Sequence, residues 1–152
     1  MKLFKRLGIA FLIILVGIQF IPTSSNQIAE VASTSDFLKT NKVPEYVGHM
    51  LITSCYDCHS NITHYPWYNK IQPIGWLLES HINKGKEQLN FSEFGSYSVR
   101  KQKSKLKSMA DQIEKDQMPL SSYTLIHRNA RLTQESKKAF VDYLNALLDS
   151  LP

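Results

Sequence analysis

The chain has two cysteines, three positions apart, with a histidine directly behind them: Cys55-Tyr56-Asp57-Cys58-His59. Nothing else in its 152 residues limits the fold as strongly. Such a pair reads as a disulfide, half of a zinc site, a redox dithiol or the attachment point of a haem. A thioredoxin-like dithiol sits in a βαβ setting. A structural zinc ion needs two more ligands, usually from a second closely spaced pair. The histidines are His49, His59, His64, His81 and His127, and only His59 and His64 stand at finger spacing, with His59 abutting Cys58. The haem reading needs no such second pair. Two thiols at this spacing add to the two vinyl groups of one haem, and the next residue offers its imidazole to the iron.

The body suits an all-α fold. Pro44 fits the first position of a helix carrying Val47, Met50, Leu51 and Cys55 on one side. Pro73 opens a second, through Trp76, Leu77, Leu78, His81 and Ile82, weakened at Gly85. Val99, Leu106, Met109 and Ile113 mark a third over about 98–116. Thr133 is placed to cap a fourth, with Phe140, Tyr143, Leu144, Leu147 and Leu148 as its stripe. Strand alternation and internal repeats are absent from the pattern. The connections are long and rich in Pro, Gly, Ser and aromatics. Four short helices with such loops bury little apolar surface, and small folds of this kind need a staple. A large apolar cofactor at the centre supplies one.

Residues 1–22 form a leader. Lys2, Lys5 and Arg6 precede an uncharged apolar run from Leu7 to Ile21, the pattern of an export signal or signal-anchor. Fifteen helical residues span roughly 22 Å, short of the roughly 30 Å apolar slab, and Leu3 and Phe4 extend the run while Lys5 and Arg6 snorkel. Thr23-x-Ser25 is a weak cleavage site, and no cysteine follows to carry a lipid. The leading positive charges hold the N-terminus in the cytoplasm and send the body outward. The expectation is a periplasmic or extracytoplasmic domain anchored in the bacterial inner membrane. Residues 23–43 read as a tether with a short helical patch at 27–38, and 44–150 as the domain proper.

Once the leader is set aside, fifteen basic residues face thirteen acidic ones, five of the basic ones within "RKQKSKLK" at 100–107. That is a basic patch on a nearly neutral body, which argues against nucleic acid as partner. Its plain reading is a solvated helix face; its functional one is a dock for an acidic redox protein.

A haem iron held by His59 calls for a sixth ligand or a reason to lack one. Met118, in "KDQMPLSSY" just after the third helix, is the first candidate, with Pro119 fixing the backbone behind it. His81, on the apolar side of the second helix, is the alternative ligand, or a residue that supports the cofactor from behind. Met50 and Met109 sit on helix stripes and read as core, while His49, His64 and His127 read as surface or loop residues. The second ring nitrogen of His59 needs an acceptor, expected in the carbonyls of Ile71, Gln72 or Pro73. Trp67, Tyr68 and Trp76 are candidates to pack on the porphyrin or to donate to its propionates.

"CYDCHSNITHYPWYNKIQPIGWLLESHINKGKEQLNFSEF", with "MPLSSY" and "LTQESKKAF" behind it, resembles the bacterial haem-binding domain family of cytochrome-c-like proteins over about Val43 to Leu148. The resemblance implies one covalent haem c, attachment through Cys55 and Cys58, and His59 as proximal ligand. Its Met-Pro element implies Met118 as distal ligand, with Gln117 where small cytochromes c usually carry glycine. His81 matches a histidine typical of the family. The expected function is a monomeric, monohaem electron-transfer module and not an enzyme. The rivals are a haem-based sensor or small-ligand binder, with a displaceable sixth ligand, and, more remotely, a peroxidase-like site.

Overall fold

A computed structural model describes residues 2–26 and 33–152. The fold is all-α, with no strand among the described residues. The leader forms α1 (Lys2–Gly17), continued by a 3-10 turn over Ile18–Phe20. It buries no residue, and with a mean hydropathy of 1.9 over an 18-residue window it suits a membrane span or a signal sequence.

The body begins earlier than its composition suggests. The short helix α2 (Phe37–Thr40), capped by the Asp36 side chain, puts Phe37 in the centre of the core. The helical patch expected at 27–38 lies partly outside the described residues, and α2 overlaps only its end. Next come α3 (Glu45–Leu51) and α4 (Ile74–Gln88). They are followed by α5 (Val99–Glu114), the short α6 (Ser121–Ile126) and α7 (Gln134–Ser150). Thr133 caps α7 as expected, accepting from the Ser136 N–H at 3.1 Å. Gly85 does not break α4, which runs through it.

α5 and α7 form the principal helix pair. Leu106, Ala110 and Ile113 on one meet Phe140, Val141 and Leu144 on the other, each set a single stripe at helical spacing. α3 leans on α7 through Val47 and Leu51. Phe37 meets Phe91 and Phe94 edge-on, at 5.6 and 4.8 Å between ring centres. These rings come from Phe91–Ser96, a 3-10 stretch that composition alone marks as a loop. The core therefore lies on the α5–α7 side, and the inner flanks of α4 and α5 remain to be covered.

Candidate functional site

α3 does not stop at Leu51. It passes into a π-helical stretch, Ile52–Tyr56, and ends in one further turn, Asp57–His59. A π-helical widening inside a helix re-aims side chains and is frequent at functional sites. Here it carries Cys55. The stretch is pinned on both flanks. Ser54 Oγ donates to the carbonyl of Ala130 at 3.1 Å. Tyr56 donates to Asp36 at 3.0 Å and stacks parallel on Phe91, with 4.9 Å between ring centres.

A cavity of about 530 Å3 opens beside this turn, within the range of ligand-binding clefts. Cys55, Cys58 and His59 form one wall; His81, on α4, and Met118, after α5, line it too. All five residues singled out from the sequence thus meet in one space. Apolar lining comes from Leu89, Phe91, Met109, Ile113 and Leu120, and Lys84 and Lys105 add two cations.

His59 is held by its rear nitrogen. Nδ1 lies 3.1 Å from the carbonyl oxygen of Leu89, an acceptor, so the ring donates there and Nε2 is left with its lone pair. Burial lowers the His59 pKa, partly offset by hydrogen bonds to the Leu89 and Gly85 backbone. The net lowering suits a neutral imidazole, the form that can ligate a metal. The carbonyls expected for this role, at Ile71 to Pro73, serve elsewhere: that of Gln72 accepts from Gln19.

The segment Leu89-Asn90-Phe91-Ser92 does the holding. Besides the Leu89 carbonyl, Asn90 Nδ2 donates to Asn61 Oδ1 at 2.8 Å, with both residues buried. Ser92 Oγ accepts from the Asn61 N–H at 3.1 Å. Phe91 backs Tyr56 and lies edge-on to the His59 ring. Gly85 lets α4 approach: a Cβ there would stand 2.6 Å from the Cys58 carbonyl oxygen. In the sequence Gly85 looks like a helix flaw; in the fold it is where α4 touches the Cys58–His59 turn.

Met118 follows a tightly built helix end. Asp116 adopts a left-handed conformation, φ 56°, normally a glycine or asparagine position. Its carboxylate pairs with Lys137 of α7. The Gln117 and Met118 N–H groups both donate to the Gln112 carbonyl, at 2.9 and 3.2 Å. Met109, read as core, packs on the core and also lines the cavity.

Trp67, Tyr68 and Trp76 do not line this space. Trp67 is 77% exposed, and Tyr68 shares a 2.6 Å hydrogen bond with His127. The cavity's aromatic residues are Phe91 and Tyr123 instead. Tyr123 donates to Asp57, between the two cysteines, at 3.0 Å and stacks on His127. His127 is therefore no idle loop residue, whereas His49 and His64 are exposed.

Burial and the Cys58 charge push the Cys55 thiol up to about 12; burial and Asp57 push Cys58 up to about 11. Thiols so raised stay protonated at neutral pH in the apo-protein. Among the described residues no three His, Cys, Asp or Glu side chains gather around one point. An oriented imidazole at His59 beside a mostly apolar cavity suits a planar macrocycle bringing its own equatorial ligands.

Fold and site together define a small helical protein built around one large apolar prosthetic group. The chain belongs to the haem-binding domain family, which matches residues 13–146, and it binds haem. No curated protein and no solved structure matches it significantly.

Proposed function

We propose that this protein is a membrane-tethered, extracytoplasmic monohaem cytochrome of the c type that passes single electrons. The observation that carries this reading is the convergence of Cys55, Cys58, His59 and Met118 on one apolar cavity. Cys55 and Cys58 would hold the haem as thioethers, His59 would ligate its iron, and Met118 would supply a second protein ligand, with His81 the alternative. Lys84 and Lys105 take the two propionates. Bound in this way, haem supplies a one-electron couple whose potential a thioether ligand raises. The chain's own part is to keep the imidazole neutral and aimed, exclude water and hold the ligand loop still.

Residues 100–107 lie on the same helix as the cavity residue Lys105. A basic dock for an acidic redox partner at this place brings that partner beside the cofactor through a small, salt-sensitive interface. In this reading the domain performs no substrate chemistry of its own, residues 1–22 are the anchor, and the haem domain reaches back from 44–150 to include α2 and its core residue Phe37.

Spectra of the purified oxidised and reduced domain, with CO added to the reduced form, test the reading. Haem that survives acidified organic extraction, a capacity lost when Cys55→Ser and Cys58→Ser are combined, supports covalent attachment. Rapid CO binding to the reduced native domain would instead favour a sensor or small-ligand binder.

A further inference from the structure

The tether reading leaves the haem domain free to swing beneath its anchor, but the described chain around Gln19 and Asn26 is fastened down. Gln19 stands in the 3-10 turn that ends the leader helix. Its Nε2 donates to the Gln72 carbonyl at 3.0 Å, and its Oε1 accepts from the Gln72 N–H at 2.9 Å. The Gln72 side chain, 6% exposed, donates to the Ile21 carbonyl at 3.3 Å and accepts from the Trp76 N–H at 3.2 Å. Ser24 hydrogen-bonds Glu79. Asn26 makes a second fastening, directly behind the haem-attachment turn. Its side chain donates to the Ser60 carbonyl and Thr63 Oγ1 and accepts from Lys86 Nζ, and its backbone pairs with Thr63 and Tyr65.

The docked loop carries an apolar surface. Trp67, Ile71, Ile74 and Leu77 are exposed, Ile74 and Leu77 one helical turn apart on α4, and Phe20 and Ile21 are exposed on the leader side. All lie within five residues of Gln19 or Gln72 in the chain, so they stand near the level at which the leader helix ends. Exposed Lys70 sits among them.

The geometry points to a membrane-seating surface: residues 67–77 rest in the headgroup region of the same bilayer that α1 enters. This rests on the reading of α1 as an uncleaved membrane anchor. The occupant follows from continuity. A helix long and apolar enough to span a bilayer ends in a side chain that grips this loop. An exposed tryptophan within ten residues of exposed isoleucine and leucine, with a lysine for anionic headgroups, is the composition of an interfacial belt. Seating fixes which way the haem cavity faces, so a redox partner meets it in one orientation.

Spin labelling of the full holo-protein tests this, with Cys55 and Cys58 already consumed by haem. Single cysteines introduced as Trp67→Cys, Leu77→Cys, Ser104→Cys and Ile13→Cys carry the nitroxide in phosphatidylcholine vesicles containing some phosphatidylglycerol. Collisions with oxygen, which concentrates in lipid, are compared with those of a water-soluble nickel chelate. Oxygen should dominate at 67, 77 and 13, and the chelate at 104. Chelate dominance at 67 and 77 with oxygen dominance at 13 overturns the seating alone. Chelate dominance at 13 overturns the anchor reading and the seating with it. Adding Gln72→Ala, in a variant whose haem spectrum is native, should shift 67 and 77 toward the chelate; unchanged ratios overturn the role of the Gln19–Gln72 pair.

Discussion

His59 Nδ1 and the Leu89 carbonyl stand 3.1 Å apart across thirty residues of chain. This contact orients the His59 ring, because a ring fixed at one nitrogen has one direction in which to present the other. Its stability depends on how firmly Leu89-Asn90-Phe91-Ser92 is held. Asn90 is the test. Asn90→Ala removes the 2.8 Å bond to Asn61 and the 3.1 Å bond that Asn90 Oδ1 accepts from the Ser92 N–H. Loss of buried hydrogen bonds of this kind costs about 1–3 kcal/mol. Urea unfolding of the holo-protein should show that loss, and an unchanged midpoint would remove Asn90 from the account.

Gly85 sets helix propensity against packing. In an exposed helix interior Gly→Ala stabilises by about 1 kcal/mol. Here the added Cβ would meet the Cys58 carbonyl oxygen at 2.6 Å, and backbone cannot step aside as a flexible side chain would. Overpacking of this sort costs about 1–3 kcal/mol. Gly85→Ala should therefore lower stability and haem incorporation together. A more stable variant with normal incorporation would show that α4 does not press on the attachment turn.

What the sequence made legible and what it hid divide along physical lines. The Thr133 cap and the stripe Phe140, Leu144 are local or periodic signals, and both stand as read. That five candidates would share one cavity was legible because Cys55, Cys58 and His59 carry a motif at fixed spacing, and Met118 and His81 were sought as partners to it. The acceptor for His59 was hidden because it is a backbone carbonyl, the same at every residue, chosen only by tertiary packing. The loop at 71–73 drew attention through its proximity in sequence, yet its carbonyl at Gln72 is occupied by Gln19. Phe37 was hidden for a different reason: its neighbours are Ser, Thr and Asn, and composition averages away one buried ring.

Asp116 carries the backbone strain of the Met118 loop. Its φ of 56° disfavours β-branched residues most and glycine least. Asp116→Val should cost about 1–3 kcal/mol, the usual price of a strained non-glycine conformation. Asp116→Gly should be close to neutral, since relief of strain offsets loss of the surface pair with Lys137, worth at most about 1 kcal/mol. Thermal unfolding of the two variants checks the ordering; equal destabilisation would mean that the ion pair, not the backbone, matters.

The two thiols give a pH prediction for the apo-protein. With Cys58 at about 11 against an ordinary 9.0, the thiolate fraction at pH 8 falls about a hundredfold. Iodoacetamide should label folded apo-protein at least that much more slowly than the same chain in urea, Cys55 being slower still. The linkage has a definite sign. A folded pKa raised above the unfolded value favours the protonated native state, so this stability is complete below pH 9 and is lost as pH climbs through 9 to 11. Rapid native-state labelling at pH 8 would show that the thiols are not buried as described.

Met118 and His81 both line the cavity, and in the proposed function each is a candidate for the iron's second protein ligand. Met118 is favoured by its setting. Asp116 is paired to α7, and two N–H groups converge on the Gln112 carbonyl, so the residue before Pro119 is held where a ligand loop must be still. His81 sits one turn before Gly85, on the α4 face that meets the Cys58 backbone. Met118→Ala should therefore abolish the weak far-red band of methionine-ligated ferric haem and lower the reduction potential, while His81→Ala should keep the band. The reverse pattern would make this a bis-histidine protein with Met118 a packing residue. Loss of the band in both variants would mean that His81 holds Met118 in position, which Met118→Ala with added exogenous dimethyl sulfide would separate by restoring the band only if the cavity remains intact.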